Sequence, residues 1–446
     1  MLYKDQEALA QLSGLFLYFC FMTITALHAL FLKFPMVSTD TRKITKDCIF
    51  FALKGANFNG NTYASEALKN GAAYVIIDEE EFNITAHHIL VEDVLTTLQE
   101  LATYHRNHCK AKVIGLTGSN GKTTTKELIN AVLSKSYKTI ATQGNLNNHI
   151  GVPLTLLSIK ENTEIAIIEM GANHQKEIAF LSSIAQPDFG YITNFGKAHL
   201  EGFGSIEGVI KGKSELYDYL ISNDKSIFLN ADDPIQSEKL GSYIKKFGFS
   251  VNNSQYYQIE FVGANPFVAL QVENYKINSQ LIGSYNFTNC AAAILIGKYF
   301  NVPVKDIKSA IESYVPKNNR SQIIKKNGHH IILDAYNANP TSMKAALENF
   351  KAMEGKNKIV FLGDMFELGE TASVEHHNIS DLADQLGFTD VYLIGENFNK
   401  INSSLKTFES FEALVDYLQN HPLEEKGNLL IKGSRGMALE RLLNYI

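Results

Sequence analysis

The sequence is poor in cysteine and has no long run of like charges. Its 446 residues include four cysteines, which show neither a CxxC pair nor the spacing of a zinc site: Cys20, Cys48, Cys109 and Cys290. Reduced thiols, as in a cytoplasmic protein, are therefore expected. The formal net charge is −6, and basic residues do not cluster. We therefore expect no nucleic-acid partner.

The sequence also lacks the marks of a signal peptide or a membrane span. An apolar run over residues 12–32 approaches the ~20 residues needed to cross a bilayer. However, Thr23, Thr25 and His28 interrupt it, and no small-residue cleavage site follows. The favoured interpretation is a first domain that begins near Met22, after an extension of doubtful status at residues 1–21. No stable membrane anchor is expected.

The length predicts about three domains. Residues 22–109 alternate short strand and helix patterns, as in a small α/β domain. Residues 110–315 contain the apolar runs "KVIGL" and "EIAIIEM", which favour strands buried on both faces of a parallel sheet. Residues 251–284, within this domain, show a pattern typical of antiparallel strands. Residues 316–446 carry four short strands, each followed by a helical pattern, which predicts a Rossmann-like domain without a GxGxxG dinucleotide motif.

A strand, a tight turn and a helix follow one another in "KVIGLTGSNGKTTTKELINAVLSK". Backbone N–H groups in such a turn, at a helix N-terminus, bind phosphate. Lys122 is placed to reach the β and γ phosphates of ATP, and the Thr123 hydroxyl to contact Mg²⁺. Leu116 stands where the usual pattern has glycine, so the loop is a variant. The predicted ATP-binding residues of this loop are Gly118, Ser119, Asn120, Gly121, Lys122, Thr123 and Thr124.

Two further polar residues follow predicted strands. Glu169 ends the strand in "EIAIIEM", at the edge where ligands gather in parallel sheets, and it supplies the carboxylate that Mg²⁺ prefers. His199 follows another strand, in "NFGKAHLEG". A lone histidine is more often structural than functional, so the pattern alone leaves the role of His199 open.

A series of short motifs, in the same order and spacing, resembles the Mur ligase family of peptidoglycan synthesis. The motifs are "STDTR", "TGSNGKTTT", "GNLNNHIGVP", "EMGANH", "TNFGKAHLEGFGS", "KGKSELYD", "NADDP", "YNFTNCAAA", "LDAYNANPTSM", "FLGDMFELG" and "LIKGSRG". The resemblance covers residues 22–446. Within the family, the motifs are most similar to those of members that join D-alanyl-D-alanine to UDP-N-acetylmuramoyl-tripeptide.

This resemblance implies an ATP-dependent amide ligase that forms an acyl phosphate before an amine attacks it. It implies catalytic roles for Lys122, Glu169, His199 and Lys213. The implied Mg²⁺ ligands are Thr123, Glu169, His199 and Lys213, the last as a carbamate formed with CO₂. Because carbamylation requires the neutral amine, a lowered pKa of Lys213 is also implied. Without the resemblance, Lys213 would be interpreted as a surface residue.

The resemblance also implies binding residues in each domain. The first domain is expected to bind the uridine diphosphate end of the substrate, the central domain ATP, and the third domain the dipeptide. Further ATP contacts are implied for Asn286, Asn289, Arg320 and Asp334. Substrate contacts are implied for Ser38, Asp40, Thr41, Arg42, Asn147, Asn148, Asn173, His174, Tyr336, Asn337, Asn339, Lys432, Ser434 and Arg435. A cytoplasmic monomer is expected.

Several alternatives remain open on the sequence alone. The family member that adds the third peptide residue shares the first-domain motif, although its diaminopimelate version typically carries a DNPR-type sequence, which is absent here. Folylpolyglutamate ligases share the phosphate-loop variant but lack the uridine-binding domain. A P-loop kinase or ATPase, or a non-catalytic nucleotide-binding protein, would explain the loop and Glu169. It would leave Lys213 and the asparagine-rich motifs unexplained.

Overall fold

The computed structural model describes residues 22–317, 319–423 and 426–446. The predicted extension at residues 1–21 lies outside the described residues. The chain forms two compact units. The first contains residues 22–110 and His149–Glu161, and the second contains Ala111–Asn148 and Asn162–Ile446. The three domain boundaries drawn from the sequence stay a prediction.

The helices and strands alternate along most of the chain. The α-helices are α1 (Ile24–Lys33), α2 (Ala64–Lys69), α3 (Val94–His108), α4 (Lys122–Leu133), α5 (Gly151–Leu157), α6 (Glu177–Ala185), α7 (Leu200–Phe203), α8 (Ile206–Ser222), α9 (Pro234–Leu240), α10 (Asn286–Tyr299), α11 (Val304–Ser313), α12 (Pro340–Ala352), α13 (Ala372–Leu386), α14 (Glu396–Lys400) and α15 (Phe411–Asn420). The strands are β1 (Val37–Ser38), β2 (Ile49–Phe51), β3 (Lys54–Gly55), β4 (Phe58–Asn59), β5 (Tyr74–Ile77), β6 (His88–Leu90), β7 (Lys112–Thr117), β8 (Thr139–Ala141), β9 (Ile165–Glu169), β10 (Phe189–Ile192), β11 (Ser226–Asn230), β12 (Lys246–Ser250), β13 (Tyr257–Gln258), β14 (Glu260–Ala264), β15 (Phe267–Val272), β16 (Tyr275–Ile282), β17 (Gln322–Lys326), β18 (His329–Asp334), β19 (Lys358–Gly363), β20 (Asp390–Ile394), β21 (Lys406–Phe408) and β22 (Asn428–Lys432).

The first unit is built on a parallel sheet with the strand order β1-β2-β5-β6. Its core includes the buried side chains of Phe50, Val75 and Ile77. Helix α3 packs against α1 and also against α5, which comes from the later segment of this unit. His28 of α1 and His105 of α3 meet between the helices, with His28 Nε2 3.0 Å from His105 Nδ1.

The second unit contains the parallel sheet that the sequence predicts. Its strand order is β13-β12-β11-β10-β7-β9-β8, and each neighbouring pair is parallel. All residues of β9 are buried, as expected for a strand with helices on both faces. Because β7 lies between β10 and β9, the carboxyl ends of these three strands meet at one place. The predicted antiparallel strands are also present, as the sheet β14-β15-β16.

A six-stranded sheet, ordered β17-β18-β22-β19-β20-β21, forms the end of the chain. The four strands predicted here from the sequence are β18, β19, β20 and β22. The edge strands β17 and β21 were not predicted, because both are only half-buried and neither has a continuous apolar run. Pro340 opens α12 as expected for a proline in a first helical turn. The prediction of an α/β fold with a parallel-sheet centre is confirmed.

Candidate functional site

The turn between β7 and α4 has the backbone of a phosphate-binding loop. Gly118 and Gly121 have φ angles of +142° and +78°, which disfavour residues with a side chain. A side chain at either position would also clash with its neighbours. A Cβ atom at Gly118 would lie 1.9 Å from Thr193 Oγ1, and one at Gly121 would lie 2.6 Å from Asn289 Oδ1. The glycines therefore allow the loop to turn sharply against its neighbours, with the N-terminus of α4 at its end.

The end of β10 fixes the other side of this loop. The Asn120 N–H donates to Asn194 Oδ1 at 3.0 Å, and the Asn120 carbonyl accepts from Thr193 Oγ1 at 2.6 Å. Ser119 Oγ donates to the Gly196 carbonyl at 3.0 Å. These supporting residues were not predicted from the sequence. Their position in "TNFGK", immediately after a buried strand, could have indicated this role, because ligand-binding groups of a parallel sheet lie at the carboxyl ends of its strands.

Lys122 and Thr124 lie in the first turn of α4 and are partly exposed. Lys122 Nζ donates to the carbonyls of Gly118 and Ser119, at 2.7 and 3.3 Å, so the ammonium lies over the loop. Burial lowers the pKa of Lys122; Glu169 opposes that shift and Arg320 adds to it. A phosphate bound in the loop would give this ammonium a direct counter-charge.

Glu169, at the end of β9, has one carboxylate oxygen in hydrogen bonds, and the other lies 3.8 Å from the Lys126 ammonium without a hydrogen bond. Oε1 accepts from Asn147 Nδ2 at 2.8 Å and from Thr123 Oγ1 at 3.3 Å. Oε2 is buried and has no hydrogen-bond partner. A buried carboxylate oxygen without a partner is costly, so a cation at this position would be stabilising. Asn148 follows Asn147 directly, before the chain enters α5.

The other two predicted metal ligands have partners of their own. His199, at the start of α7, has a φ of +53°, and its Nδ1 pairs with the Glu367 carboxylate. Lys213 Nζ donates to the Ala172 carbonyl at 2.9 Å. Of the four predicted ligands, the structure thus brings Thr123 and Glu169 into contact. Within the described ranges, no group of three or more His, Cys, Asp and Glu side chains could hold a metal ion.

Lys213 is a fully buried lysine on α8, at 0% exposure. Its Nζ lies 4.9 Å from the centre of the Phe203 ring. Burial holds the pKa of Lys213 well below its ordinary value, and the charge of Lys122 lowers it further. The interpretation of Lys213 as a surface residue, made from the residues without the resemblance, is therefore wrong. A neutral amine at this position is the form that reacts with CO₂.

Asn286 and Asn289 are buried one turn apart at the start of α10 and are linked to each other. Asn289 Nδ2 donates to Asn286 Oδ1 at 2.8 Å, and Asn289 Oδ1 accepts from Thr125 Oγ1 at 3.0 Å. Asn286 Nδ2 donates to the Ile282 carbonyl at 2.7 Å. This chain ties α10 to α4 immediately behind Gly121, so the pair supports the phosphate loop.

Charged residues at the start of the six-stranded sheet form a second cluster. The Arg320 guanidinium lies 3.7 Å from the centre of the Tyr336 ring, and its Nε is buried without a hydrogen-bond partner. Asp334 Oδ2 pairs with the buried Lys432 Nζ at 2.5 Å. Lys432 also donates to the Asn337 carbonyl at 3.3 Å. The Nε donor of Arg320 is therefore unused, and the charge of Arg320 is near enough to Lys122 to lower the pKa of that lysine.

Asn339 connects the phosphate loop to α12. Its side-chain oxygen accepts from the Ser342 N–H at 2.9 Å and caps the helix. Its Nδ2 donates to Asn120 Oδ1 at 2.8 Å. Ser434 Oγ accepts from the Phe366 N–H at 3.0 Å, and Arg435 pairs with Glu440 at 2.7 Å on the surface.

Asn173 and His174 follow β9 and share one acceptor. Their backbone N–H groups donate to Glu177 Oε2 at 2.6 and 3.0 Å. The side chain of His174 is 65% exposed, and its Nδ1 lies 3.6 Å from Glu177 Oε1. The side chain of His174 is therefore open to a ligand.

The first unit carries the predicted uridine-diphosphate motif on a turn after β1. Ser38 Oγ donates to the Asp40 carbonyl at 2.9 Å. Arg42 donates twice to the Asp40 carboxylate, with both distances 2.9 Å. Thr41 begins the short 3₁₀ turn Thr41–Lys43, which contains Arg42 and is capped by Asp40. The hydrogen bonds from Arg42 lower the pKa of Asp40 to about 2. Arg42 is 86% exposed in its side chain, so its guanidinium is accessible to a phosphate.

Three family models match this chain in order. The "Mur ligase family, catalytic domain" matches residues 33–108, the "Mur ligase middle domain" residues 116–297, and the "Mur ligase, glutamate ligase domain" residues 319–435. The UDP-N-acetylmuramoyl-tripeptide–D-alanyl-D-alanine ligase of Bacillus subtilis is 37% identical, over 91% of this chain and 92% of that protein. The Escherichia coli enzyme of the same name is 33% identical, over 92% and 93%.

Solved structures agree with these sequence matches. A crystal structure of MurF from Acinetobacter baumannii superimposes with a TM-score of 0.80, at 31% identity and 92% coverage of both chains. The MurF ligase of Thermotoga maritima in complex with ADP gives a TM-score of 0.79, at 25% identity, over 92% of this chain and 96% of that one. No helix among the residues described is long and apolar enough to cross a membrane.

Proposed function

Because this chain belongs to the Mur ligase family, we propose that it joins D-alanyl-D-alanine to UDP-N-acetylmuramoyl-tripeptide, with cleavage of ATP to ADP and phosphate. The product is a pentapeptide precursor of peptidoglycan. The observation that carries this proposal is the 37% identity to the Bacillus subtilis enzyme over 92% of its length. The intact phosphate loop, with Glu169 beside Thr123, supplies the chemistry that such a reaction needs.

The loop residues from Gly118 to Thr124 bind the ATP phosphates, and Lys122 balances their charge. Asn286 and Asn289 are the proposed adenine contacts, although their linked side chains also support Gly121. Arg320 has a buried, unused Nε and adds a second cation to the phosphates. Asp334, held by Lys432, is the proposed ribose contact.

Thr123 and Glu169 would hold Mg²⁺, since the buried Glu169 Oε2 makes no hydrogen bond and the Thr123 hydroxyl lies beside the same carboxylate. A bound Mg²⁺ would neutralise phosphate charge during phosphoryl transfer. His199 and Lys213 complete the proposed ligand set. Burial favours the neutral amine of Lys213, which forms a carbamate by attacking CO₂ and releasing a proton. Release of His199 from Glu367 would be needed before it could bind the metal.

The tripeptide carboxylate attacks the γ-phosphorus of ATP and ADP leaves. The amine of the dipeptide then attacks the resulting acyl phosphate, and phosphate leaves. Asn147, Asn148, Asn173 and His174 are proposed to hold the acyl group, because side-chain amides orient it without attacking it. Residues 316–446 position the amine and exclude water from the acyl phosphate.

Substrate binding is divided among the three proposed domains, 22–109, 110–315 and 316–446. The uridine diphosphate end binds the exposed turn of the first domain. The dipeptide binds the third. The residues proposed for these two ends are Ser38, Asp40, Thr41, Arg42, Tyr336, Asn337, Asn339, Lys432, Ser434 and Arg435. The enzyme is proposed to act as a cytoplasmic monomer.

Phosphate release from ATP tests this proposal directly. Release should require UDP-N-acetylmuramoyl-tripeptide and D-alanyl-D-alanine together, and mass spectrometry should find the pentapeptide product. The Lys122→Met variant should lose this activity, whereas Lys135→Met, at an exposed lysine after α4, should keep it. Release that ignores the dipeptide would favour a plain ATPase. Release that requires a free amino acid and UDP-N-acetylmuramoyl-dipeptide would favour the ligase that adds the third residue.

A further inference from the structure

We propose that Lys126 is a positioning residue for Glu169, whose charge it balances while leaving Oε2 free for a metal ion. This inference rests on the proposed magnesium site. It adds to that site a residue for which neither the sequence motifs nor the resemblance gave a role.

Lys126 is buried, at 2% exposure, and its charge must be compensated inside the protein. Its Nζ donates to the Thr142 carbonyl at 2.6 Å. Two carboxylates lie near it, Glu169 Oε2 at 3.8 Å and Glu127 Oε1 at 3.9 Å. The side chain of Glu127 is 29% exposed, so water screens its charge, whereas that of Glu169 is only 2% exposed. Glu169 is therefore the buried counter-charge of Lys126.

A separation of 3.8 Å is too long for a hydrogen bond but short enough for a strong interaction between charges. The Thr142 carbonyl holds the Lys126 ammonium at this separation. The Thr142 hydroxyl accepts from the Glu169 N–H at 2.9 Å, so one residue fixes both members of the pair. Since Oε1 is already bound by Asn147 and Thr123, the lone pairs of Oε2 are the ones left for a cation.

Lys122 and Lys126 are four residues apart on α4 and therefore lie on the same face of the helix. Lys122 belongs to the phosphate loop, and Glu169 also acts on its charge. If Lys126 lost its charge, Lys122 would be the nearby cation left for Glu169. We expect it to move toward Oε2, where it would block the metal position and leave the phosphates. Lys126 thus keeps both Oε2 and Lys122 available.

The test measures binding rather than turnover. The affinity of full-length protein for ADP is determined by calorimetry at a series of Mg²⁺ concentrations, for wild type, Lys126→Met, Glu169→Gln and the double variant. Mg²⁺ should strengthen ADP binding, and the Mg²⁺ concentration that gives half of this effect should be at least tenfold higher in Lys126→Met than in wild type. In the Glu169→Gln background, Lys126→Met should cause no further change. Lys135→Met is the control for loss of a nearby surface charge and should match wild type.

The outcomes separate this inference from the proposed metal site. If neither wild type nor Glu169→Gln responds to Mg²⁺, the metal site itself is wrong. If Mg²⁺ strengthens ADP binding to wild type but not to Glu169→Gln, and Lys126→Met matches wild type, the inference about Lys126 is wrong. Tighter Mg²⁺ binding in Lys126→Met would also overturn it, since that result would mean that the lysine only repels the metal. Should Lys126→Met not fold, Lys126→Gln keeps a donor for Thr142 and removes the charge, and the same comparison applies.

Discussion

Replacing Asn339 should separate two roles of one side chain. The oxygen of this side chain caps α12, and its nitrogen donates to the partly buried Asn120 Oδ1 at 2.8 Å. Asn339→Ala removes both interactions. Loss of an N-cap costs about 1 kcal/mol, and loss of the partly buried hydrogen bond to Asn120 costs about 0.5–1.5 kcal/mol. We therefore expect Asn339→Ala to lower the free energy of unfolding by about 1.5–2.5 kcal/mol.

Asn339→Ser is the matched variant, because a serine hydroxyl still caps the helix but is too short to reach Asn120. It should be about 1 kcal/mol more stable than Asn339→Ala. The free energies of unfolding are measured by urea denaturation followed by circular dichroism. Since Asn120 lies in the phosphate loop, both variants should also raise the KM for ATP, by roughly fivefold for a loss of about 1 kcal/mol.

A double-mutant cycle with Asn120→Ala tests whether the two asparagines act together. The coupling between Asn120→Ala and Asn339→Ser should be about 1 kcal/mol. Additive effects would show that the hydrogen bond contributes nothing measurable. Equal losses in Asn339→Ala and Asn339→Ser would show that the cap is not important. An unchanged KM for ATP would refute the link between this contact and the phosphate loop.

Three other perturbations follow from the structure. Gly118→Ala should weaken ATP binding at least a hundredfold in calorimetry, because its Cβ would lie 1.9 Å from Thr193 Oγ1. The control Gly144→Ala should leave ATP binding unchanged, since Gly144 also has a positive φ, of +55°, but open space around it. Lys213→Met should abolish activity yet fold. The unfolded chain keeps the Lys213 proton up to a pH of about 10.5 and the folded chain loses it at lower pH, so the stability of wild type relative to this variant should rise between pH 7.5 and 10. A stability difference that does not change with pH in denaturation experiments would contradict the lowered pKa. Burial lowers the pKa of His28 to about 4, so wild type should lose thermal stability as the pH falls from 6.5 toward 4. His28→Leu should lose less stability over this range, and identical pH profiles of the two proteins would contradict the lowered pKa.

The parts of the site that the sequence reveals are those with a local cause. The phosphate loop is visible because glycines, a lysine and a helix start occur together between an apolar strand and an amphipathic helix. Glu169 is visible because it ends a buried strand. The parallel sheet follows from continuous apolar runs, and the six-stranded sheet at the end of the chain follows from the four strand patterns in residues 316–446.

The missed residues depend on which strands become neighbours. Thr193 and Asn194 support the loop because β10 lies beside β7 in space, although β9 comes between them in the chain. Lys126 gains its relation to Glu169 through packing of α4 near the end of β9. His199 meets Glu367, which is 168 residues away in the sequence. No periodicity in one sequence specifies such pairings.

The packing of α5 on α3 has a consequence for how the chain folds during synthesis. Gln99 of α3 donates to the His149 carbonyl, and His105 donates to the Ile159 carbonyl, so α3 depends on residues made much later. The strand β7 and the phosphate loop leave the ribosome before that segment. At roughly 5–20 residues per second, the delay is on the order of several seconds. During this time, the surface of α3 that α5 later covers is open to chaperones, although the core around Phe50 and Val75 consists of residues already made.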